Sequence, residues 1–277
     1  MPRIIKKQIS LAVSLVLILM ALSLTTACGS RSQAGIIVAG STSVQPFAEV
    51  LAEEYMILHP DIIIDIQGGG SSAGIMAAES GTANIGMSSR ALKDEEKSLW
   101  SVEIARDGLV VIVNPNNPIN DLTLEQVRGI YAATISDWSQ LGGSKSKIHV
   151  ITREEGSGTR GAFEDLVMDK TQISPRSIVQ DSNGSVRQLV KDDPNAIGFI
   201  SLGLVNEYVK ALSLEGVAAT RENVVSGSYG LSRPFLFVSN GEPSGQTKLF
   251  IDFTLSAEGQ KLLAAEGLIP SAESAGK

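Results

Sequence analysis

Cysteine occurs once in these 277 residues, and histidine and tryptophan twice each. A single cysteine excludes an internal disulfide. Two histidines, at 59 and 149, with no cysteine beside either, give no cluster of metal-ligand spacing, so neither a metal nor a cofactor is expected. The phosphate-loop signature ending in Gly-Lys-Ser/Thr is missing, which argues against nucleotide hydrolysis. Positive charge is in the minority, 23 Lys and Arg against 30 Asp and Glu for a net of −7. Nucleic acid and other polyanions are therefore not expected partners. Charged residues make up only 19% and hydrophobic ones 43%, a globular composition rather than a disordered one. The apolar run at residues 9–24 is short for a spanning helix, which needs ~20 apolar residues.

That run follows Arg3, Lys6 and Lys7 and leads through Leu24-Thr25-Thr26-Ala27 to Cys28. A basic start, an apolar stretch and small residues at its end read as a signal peptide over residues 1–27. The segment into Cys28 resembles a bacterial lipoprotein cleavage box. The mature chain is then expected to start at a lipidated Cys28, anchored outside the cytoplasmic membrane, with residues 28–35 as a tether.

From Ile36 onward one unit recurs: an apolar strand, a Gly/Ser loop, a helix. Strands are expected at residues 36–39, 62–66, 83–87, 110–113, 148–152 and 233–238, and helices at 46–58, 124–131 and 248–266. Pro46 suits a first helical turn, and Phe47, Val50, Leu51, Met56 and Leu58 supply an apolar stripe. Such alternation argues for a parallel, open α/β sheet with ligands at the carboxyl ends of its strands. The turn-rich stretch Asn114-Pro115-Asn116-Asn117-Pro118 suits a crossover into a second lobe. The expected division is 36–113 with 228–277 as lobe 1, and 114–227 as lobe 2.

Three loops, residues 40–43, 68–72 and 156–159, each follow a strand and open a helix. Glycine lets backbone N–H groups approach a ligand, and Ser or Thr adds a donor without charge. The third loop lies in "REEGSGTRGAF" beside Arg153, where first-turn N–H groups and a guanidinium together suit an anion.

The segments "AGSTSVQPF", "GGGSSAG", "IGMSSR", "REEGSGTRGAF" and "AIGFISLG", in this order from Ile36 toward the C-terminus, resemble PstS-type phosphate-binding proteins, the extracytoplasmic receptors of bacterial ABC phosphate importers. The resemblance implies a two-lobed, periplasmic-binding-protein-like (class II) α/β fold that closes on one phosphate and hands it to ABC permease subunits, as a monomer. Carried over by position, Thr42, Ser43 and Ser71 would donate from the first two loops. Arg153 would clamp the anion, and Ser157, Gly158 and Thr159 would cap it. Ser89 stands where some family members carry an aspartate that accepts phosphate's proton, which puts discrimination against sulfate in question. Arg90 has two readings, a second cationic ligand or a partner of Glu95 or Glu96. Glu154 and Glu155 either orient Arg153 or are solvated turn residues. Trp100 and Trp138 read as packing residues.

Two other readings stand beside this one. Gly70-Ser71-Ser72-Ala73-Gly74 fits the G-x-S-x-G pattern of serine hydrolases, with His149 as the candidate base and nothing marking an acid. The same fold could also bind another oxyanion, such as sulfate or molybdate, or serve a sensor; the expectation remains a binding protein and not an enzyme.

Overall fold

The structure, a computed structural model, describes residues 34–271; the expected signal peptide and Cys28 lie outside them. Strand β1 (Ala34–Gly40) is followed by helix α1 (Gln45–Leu58). Pro46 sits in the first turn of α1, where its missing N–H has no intrahelical role. Phe47, Leu51 and Tyr55, each one turn apart, are buried. Leu58, expected in that stripe, is exposed. Then come β2 (Ile62–Gly68), α2 (Ser71–Glu79) and β3 (Ile85–Ser88). Helix α2 lies directly against β1 because residue 74 is glycine. A Cβ there would stand 2.4 Å from the Ala39 carbonyl oxygen, a distance real side chains do not tolerate. That contact holds the start of α2, and with it Ser71 and Ser72, at the carboxyl end of β1.

The next strand departs most from expectation. Strand β4 runs Trp100–Val113, ten residues earlier than the apolar run alone indicates. Its first part pairs antiparallel with β11 (Ser232–Ser239), up to Gly108↔Ser232. From Leu109↔Ser201 it pairs antiparallel with β8 (Ala196–Ser201). The strand therefore changes its ladder partner at Gly108 and Leu109, ahead of the Asn/Pro-rich stretch beyond its end. Asp107-Gly108 reads as a turn in isolation, yet here the extended backbone continues through it because each side finds a ladder partner.

After β5 (Asp121–Leu122) and α3 (Leu124–Tyr131), β6 (His149–Arg153) leads into α4 (Gly158–Phe163), which continues as a π turn over Glu164–Met168. Strand β7 (Ile178–Gln180) and helix α5 (Asn183–Asp192) precede β8. Short strands β9 (Lys210–Ala211) and β10 (Ser213–Leu214) and helix α6 (Arg221–Ser226) lead to β11. The expected C-terminal helix is two helices, α7 (Gly245–Leu255) and α8 (Ala257–Ala265), before β12 (Ile269–Pro270). They are split at Ser256, whose Oγ accepts the Gly259 N–H at 3.2 Å as an N-cap.

The main sheet has the order β2-β1-β3-β11-β4-β8-β6-β7. It is mixed, not parallel throughout: β1 with β3, and β6 with both β7 and β8, run parallel, while β11 and β4 run antiparallel to their neighbours. The ladder is continuous through β4, so the two halves share a strand. Their cores are distinct. One gathers Val38, Phe47, Leu51, Ile85, Phe237 and Phe250. The other gathers Val111, Val127, Tyr131, Trp138, Phe163 and Phe199. Burial of each such side chain contributes about 1.5–3 kcal/mol. Trp138 is buried in the second core with its Nε1 donating to the Asn195 carbonyl at 3.0 Å, and Trp100 packs partly buried against the first.

Candidate anion cleft

The third Gly/Ser loop owes its rigidity to the helix it opens. Phe163, at the end of α4, stacks on Phe199 of β8 with centroids 4.1 Å apart and lies 4.5 Å from Tyr131. This fixes the helix on the sheet and points its first turn back across the end of β6. Ser157 is the N-cap: its Oγ accepts the Arg160 N–H at 3.2 Å. The N–H groups of Gly158 and Thr159 belong to the first turn, which has no intrahelical acceptors.

Arg153 ends β6 and is 1% exposed. Glu154 receives its Nε at 3.0 Å and its Nη2 at 2.9 Å, so Glu154, and not Glu155, orients the guanidinium. Nη2 also donates to the Asp181 carbonyl at 2.9 Å and to Thr42 Oγ1 at 3.1 Å. Nη1 is buried and makes no hydrogen bond among the described residues.

Loops from the two halves meet here. The Ser72 N–H donates to the Gly156 carbonyl at 3.1 Å. Ser43 Oγ lies 2.6 Å from Thr159 Oγ1 and receives Asn183 Nδ2 at 2.8 Å and Arg233 Nη2 at 3.3 Å. Gly158 is pressed against the opposite loops: a Cβ would stand 2.2 Å from Ser71 Oγ and 2.7 Å from Ser89 Oγ. Only glycine lets α4 start this close to two hydroxyls.

Donor counting orients these hydroxyls. Ser43 accepts from Asn183 and Arg233, filling its two lone pairs, so its own hydrogen goes to Thr159 and the Thr159 hydrogen is left to donate elsewhere. Thr42 Oγ1, accepting from Arg153, likewise keeps a hydrogen. Ser41 Oγ accepts the Ser43 N–H at 3.2 Å and donates to Ser89 Oγ at 2.9 Å. Ser71 Oγ accepts the Ser89 N–H at 3.1 Å and lies 3.4 Å from Ser89 Oγ. Ser89 thus accepts from Ser41, and with one bond shared between them the Ser71 and Ser89 pair keeps one O–H and one lone pair. With the Thr42 and Thr159 hydrogens and the first-turn N–H groups, donors converge on this surface.

The remaining sequence candidates lie differently. Arg90 gives both terminal nitrogens to Glu96, at 2.7 and 2.8 Å, and reaches Ser72 Oγ at 3.4 Å and the Ala91 carbonyl at 2.9 Å. Its hydrogen bonding to Glu96 is the main cause holding the Glu96 carboxyl below its usual range. Of the two readings of Arg90, the ion pair is the one this geometry contains. Ser72 has Arg90 as its partner. His149 opens β6, four residues before Arg153, and its Nδ1 is 2.6 Å from Asp193. At about 3.3 Å per residue this is roughly 13 Å along the strand from the cleft end.

Three residues that sequence reasoning passed over also reach the site. Ser41 orders the serine pair, Asn183 opens α5, and Arg233 comes from β11. Asn183 carried a readable signal, following the N-cap Ser182 at a helix start. So did Arg233, a lone charge entering an apolar strand.

Two α/β halves joined by shared crossover strands, with hydroxyl and guanidinium groups gathered where their loops meet, define a two-lobed solute-binding fold. The PBP superfamily domain matches residues 25–258, and the chain belongs to that superfamily and, within it, to the PstS phosphate-binding proteins. It is 30% identical over 246 residues to the phosphate-binding protein PstS of Bacillus subtilis, covering 87% of this chain and 82% of that one. A crystal structure of a phosphate ABC transporter substrate-binding protein from Clostridium perfringens, with bound phosphate, is 46% identical with a TM-score of 0.83, over 85% of this chain and 99% of that one. An ABC-type phosphate transport receptor from Vibrio cholerae is 41% identical with a TM-score of 0.72, over 84% and 99% respectively.

Proposed function

We propose that the cleft captures inorganic phosphate outside the cytoplasmic membrane and delivers it to an ABC permease. The observation that carries this reading is Arg153 Nη1, a buried guanidinium nitrogen with no hydrogen-bond partner among the described residues, next to hydroxyls that retain donor hydrogens. A buried unpaired donor on a cation is costly, on the order of 1–3 kcal/mol or more, and an oxyanion relieves it. Thr42, Ser71, Ser89, Arg153, Ser157, Gly158 and Thr159 form the proposed binding set, and Ser43, whose O–H and N–H are given to Thr159 and Ser41, holds Thr159 in place behind them. Arg90 leaves it and braces the second loop through Glu96 and Ser72. The anion is held by residues of both halves, so binding favours the closed arrangement.

In this reading the division of 36–113 with 228–277 as lobe 1 and 114–227 as lobe 2 shifts within β4 to Gly108 and Leu109, so that residues 109–113 join lobe 2. Cleavage after Ala27 leaves a lipidated Cys28 as the membrane anchor of a monomeric receptor. Among the described residues no helix is long and apolar enough to cross a membrane. Calorimetry on the full chain in detergent, with phosphate, arsenate, sulfate and molybdate, tests the reading. One phosphate per chain, bound tightest of the four and with no turnover of a phosphate ester, is expected. Absence of phosphate binding, or hydrolysis of the ester, would overturn it.

A further inference from the structure

Arg233 and Asp107 face each other across β11 and β4, in register. Asp107 Oδ2 receives Arg233 Nε at 3.0 Å and Nη2 at 2.9 Å, and Oδ1 receives Ser201 Oγ at 2.8 Å. Asp107 therefore ties β11, β4 and β8 together at the place where β4 changes partner. Both members of the pair are 1% exposed. Burial pushes the Asp107 carboxyl up and the Arg233 guanidinium down, and their pairing opposes both shifts. A buried ion pair stabilises a fold little better than apolar packing of the same volume, so its presence at this point calls for another role.

The guanidinium's remaining bonds supply one. Nη2 reaches Ser43 Oγ and Nη1 reaches the Ser89 carbonyl, each at 3.3 Å. Both acceptors belong to the loops proposed to hold phosphate, and the charge of Arg153 is near enough to be among the causes that lower Arg233. Arginine has five N–H donors, and the bonds to described residues engage four of them. The two bonds on the cleft side are the long ones.

We propose that Arg233 is a second cationic donor of the anion cleft, entering from the crossover strands instead of from either lobe's loops, and that Asp107 is the residue that positions it. This rests on the phosphate reading above. The second oxygen of Arg233's carboxylate partner, Asp107 Oδ1, is turned toward Ser201. The ligand class is then a doubly charged tetrahedral oxyanion, bound by donors from both guanidiniums.

Calorimetry of phosphate binding to full-length variants tests this. Arg233→Gln should weaken binding at least tenfold, about 1.4 kcal/mol. Asp107→Asn should weaken it only while Arg233 is present, so that the double variant binds no more weakly than Arg233→Gln alone; a merely structural Asp107 would add its own loss. Where the single variant strands a buried charge and fails to fold, the double variant, which leaves none, carries the comparison with wild type. Near wild-type phosphate affinity in folded Arg233→Gln or in the double variant, with Arg153→Ala weak, would overturn this proposal alone. A wild type that binds no phosphate would overturn both it and the reading beneath it.

Discussion

Residues 88–96 and residues 153–159 look alike as sequence: each places an arginine at or just after a strand end, with acidic residues close by and serines adjacent. Folded, they differ in what their arginines have left to give. Arg90 meets Glu96 end-on, and the carboxylate takes both terminal nitrogens. Arg153 meets Glu154 from the side, through Nε and Nη2, and Nη1 is left over. The spacing accounts for this. Glu96 lies six residues away on a short turn with its carboxylate fixed by the Lys93 N–H at 2.8 Å, so it can approach the guanidinium head. Glu154, the next residue, reaches only the near edge. A carboxylate in one position neutralises a cation; in the other it aims one.

Removing the aimed arginine should have the largest effect on phosphate binding. Arg153→Ala loses the unpartnered donor and leaves Glu154 as a bare carboxylate beside a dianion. Calorimetry should show at least a tenfold weaker affinity, about 1.4 kcal/mol or more. If Arg153→Ala bound phosphate as well as wild type does, the contrast between the two segments would have no functional content.

Much of this site was legible in the sequence, because backbone-close loops announce themselves. Gly158 between Ser157 and Thr159, after Arg153, is a local pattern, and the structure gives it a local reason in the approach to Ser71 and Ser89. The strand and helix units up to β3 were legible for the same reason: apolar runs ended by glycine and serine. What stayed hidden depends on residues far apart in the chain. Arg233 and Asp107 are separated by 126 positions and become neighbours only through antiparallel register. The length of β4 went unread too: residues 100–104 alternate apolar and polar, a strand signal, but Arg106-Asp107-Gly108 interrupts the pattern before the apolar run, and only pairing with β11 carries the strand through it. Ser256 ends one helix and caps the next, and no proline beside it marks the break.

A smaller effect is expected on selectivity, and it sharpens the contrast by adding a carboxylate where residues 88–96 have none in the cleft. Phosphate near neutral pH still carries a proton; sulfate carries none. Ser89 is a hydroxyl that can turn its O–H or its remaining lone pair to the ligand, so it serves either anion. Sulfate should therefore compete measurably at high excess, because the repulsive part of the discrimination is missing. Ser89→Asp supplies an acceptor-only group, with Ser41 placed to donate to it. Competition titrations should show sulfate inhibition falling more than phosphate affinity changes. Complete indifference of the wild type to sulfate would mean that a carboxylate already accepts the ligand's proton, with Glu154 the first to test.

The smallest effect on binding is expected at the neutralised arginine. Replacing both partners, Arg90→Gln with Glu96→Gln, leaves no uncompensated charge, and phosphate affinity should stay within about threefold, less than 1 kcal/mol. Stability is where this pair should register. The Glu96 carboxyl is held below its usual value, first by the Arg90 hydrogen bond, so the folded state releases that proton more readily than the unfolded chain does. The pair's contribution is then complete above the ordinary glutamate range near 4.3 and is lost as pH falls through the lower folded value. Thermal midpoints of wild type and the double variant should differ most at neutral pH and converge as pH falls below the ordinary glutamate range and through the lower folded value. A gap that persisted unchanged into acid would show that packing, not charge, gives the pair its worth. A phosphate affinity that fell as far as in Arg153→Ala would place Arg90 back among the residues that touch the anion, and would undo the distinction between a carboxylate that neutralises and one that aims.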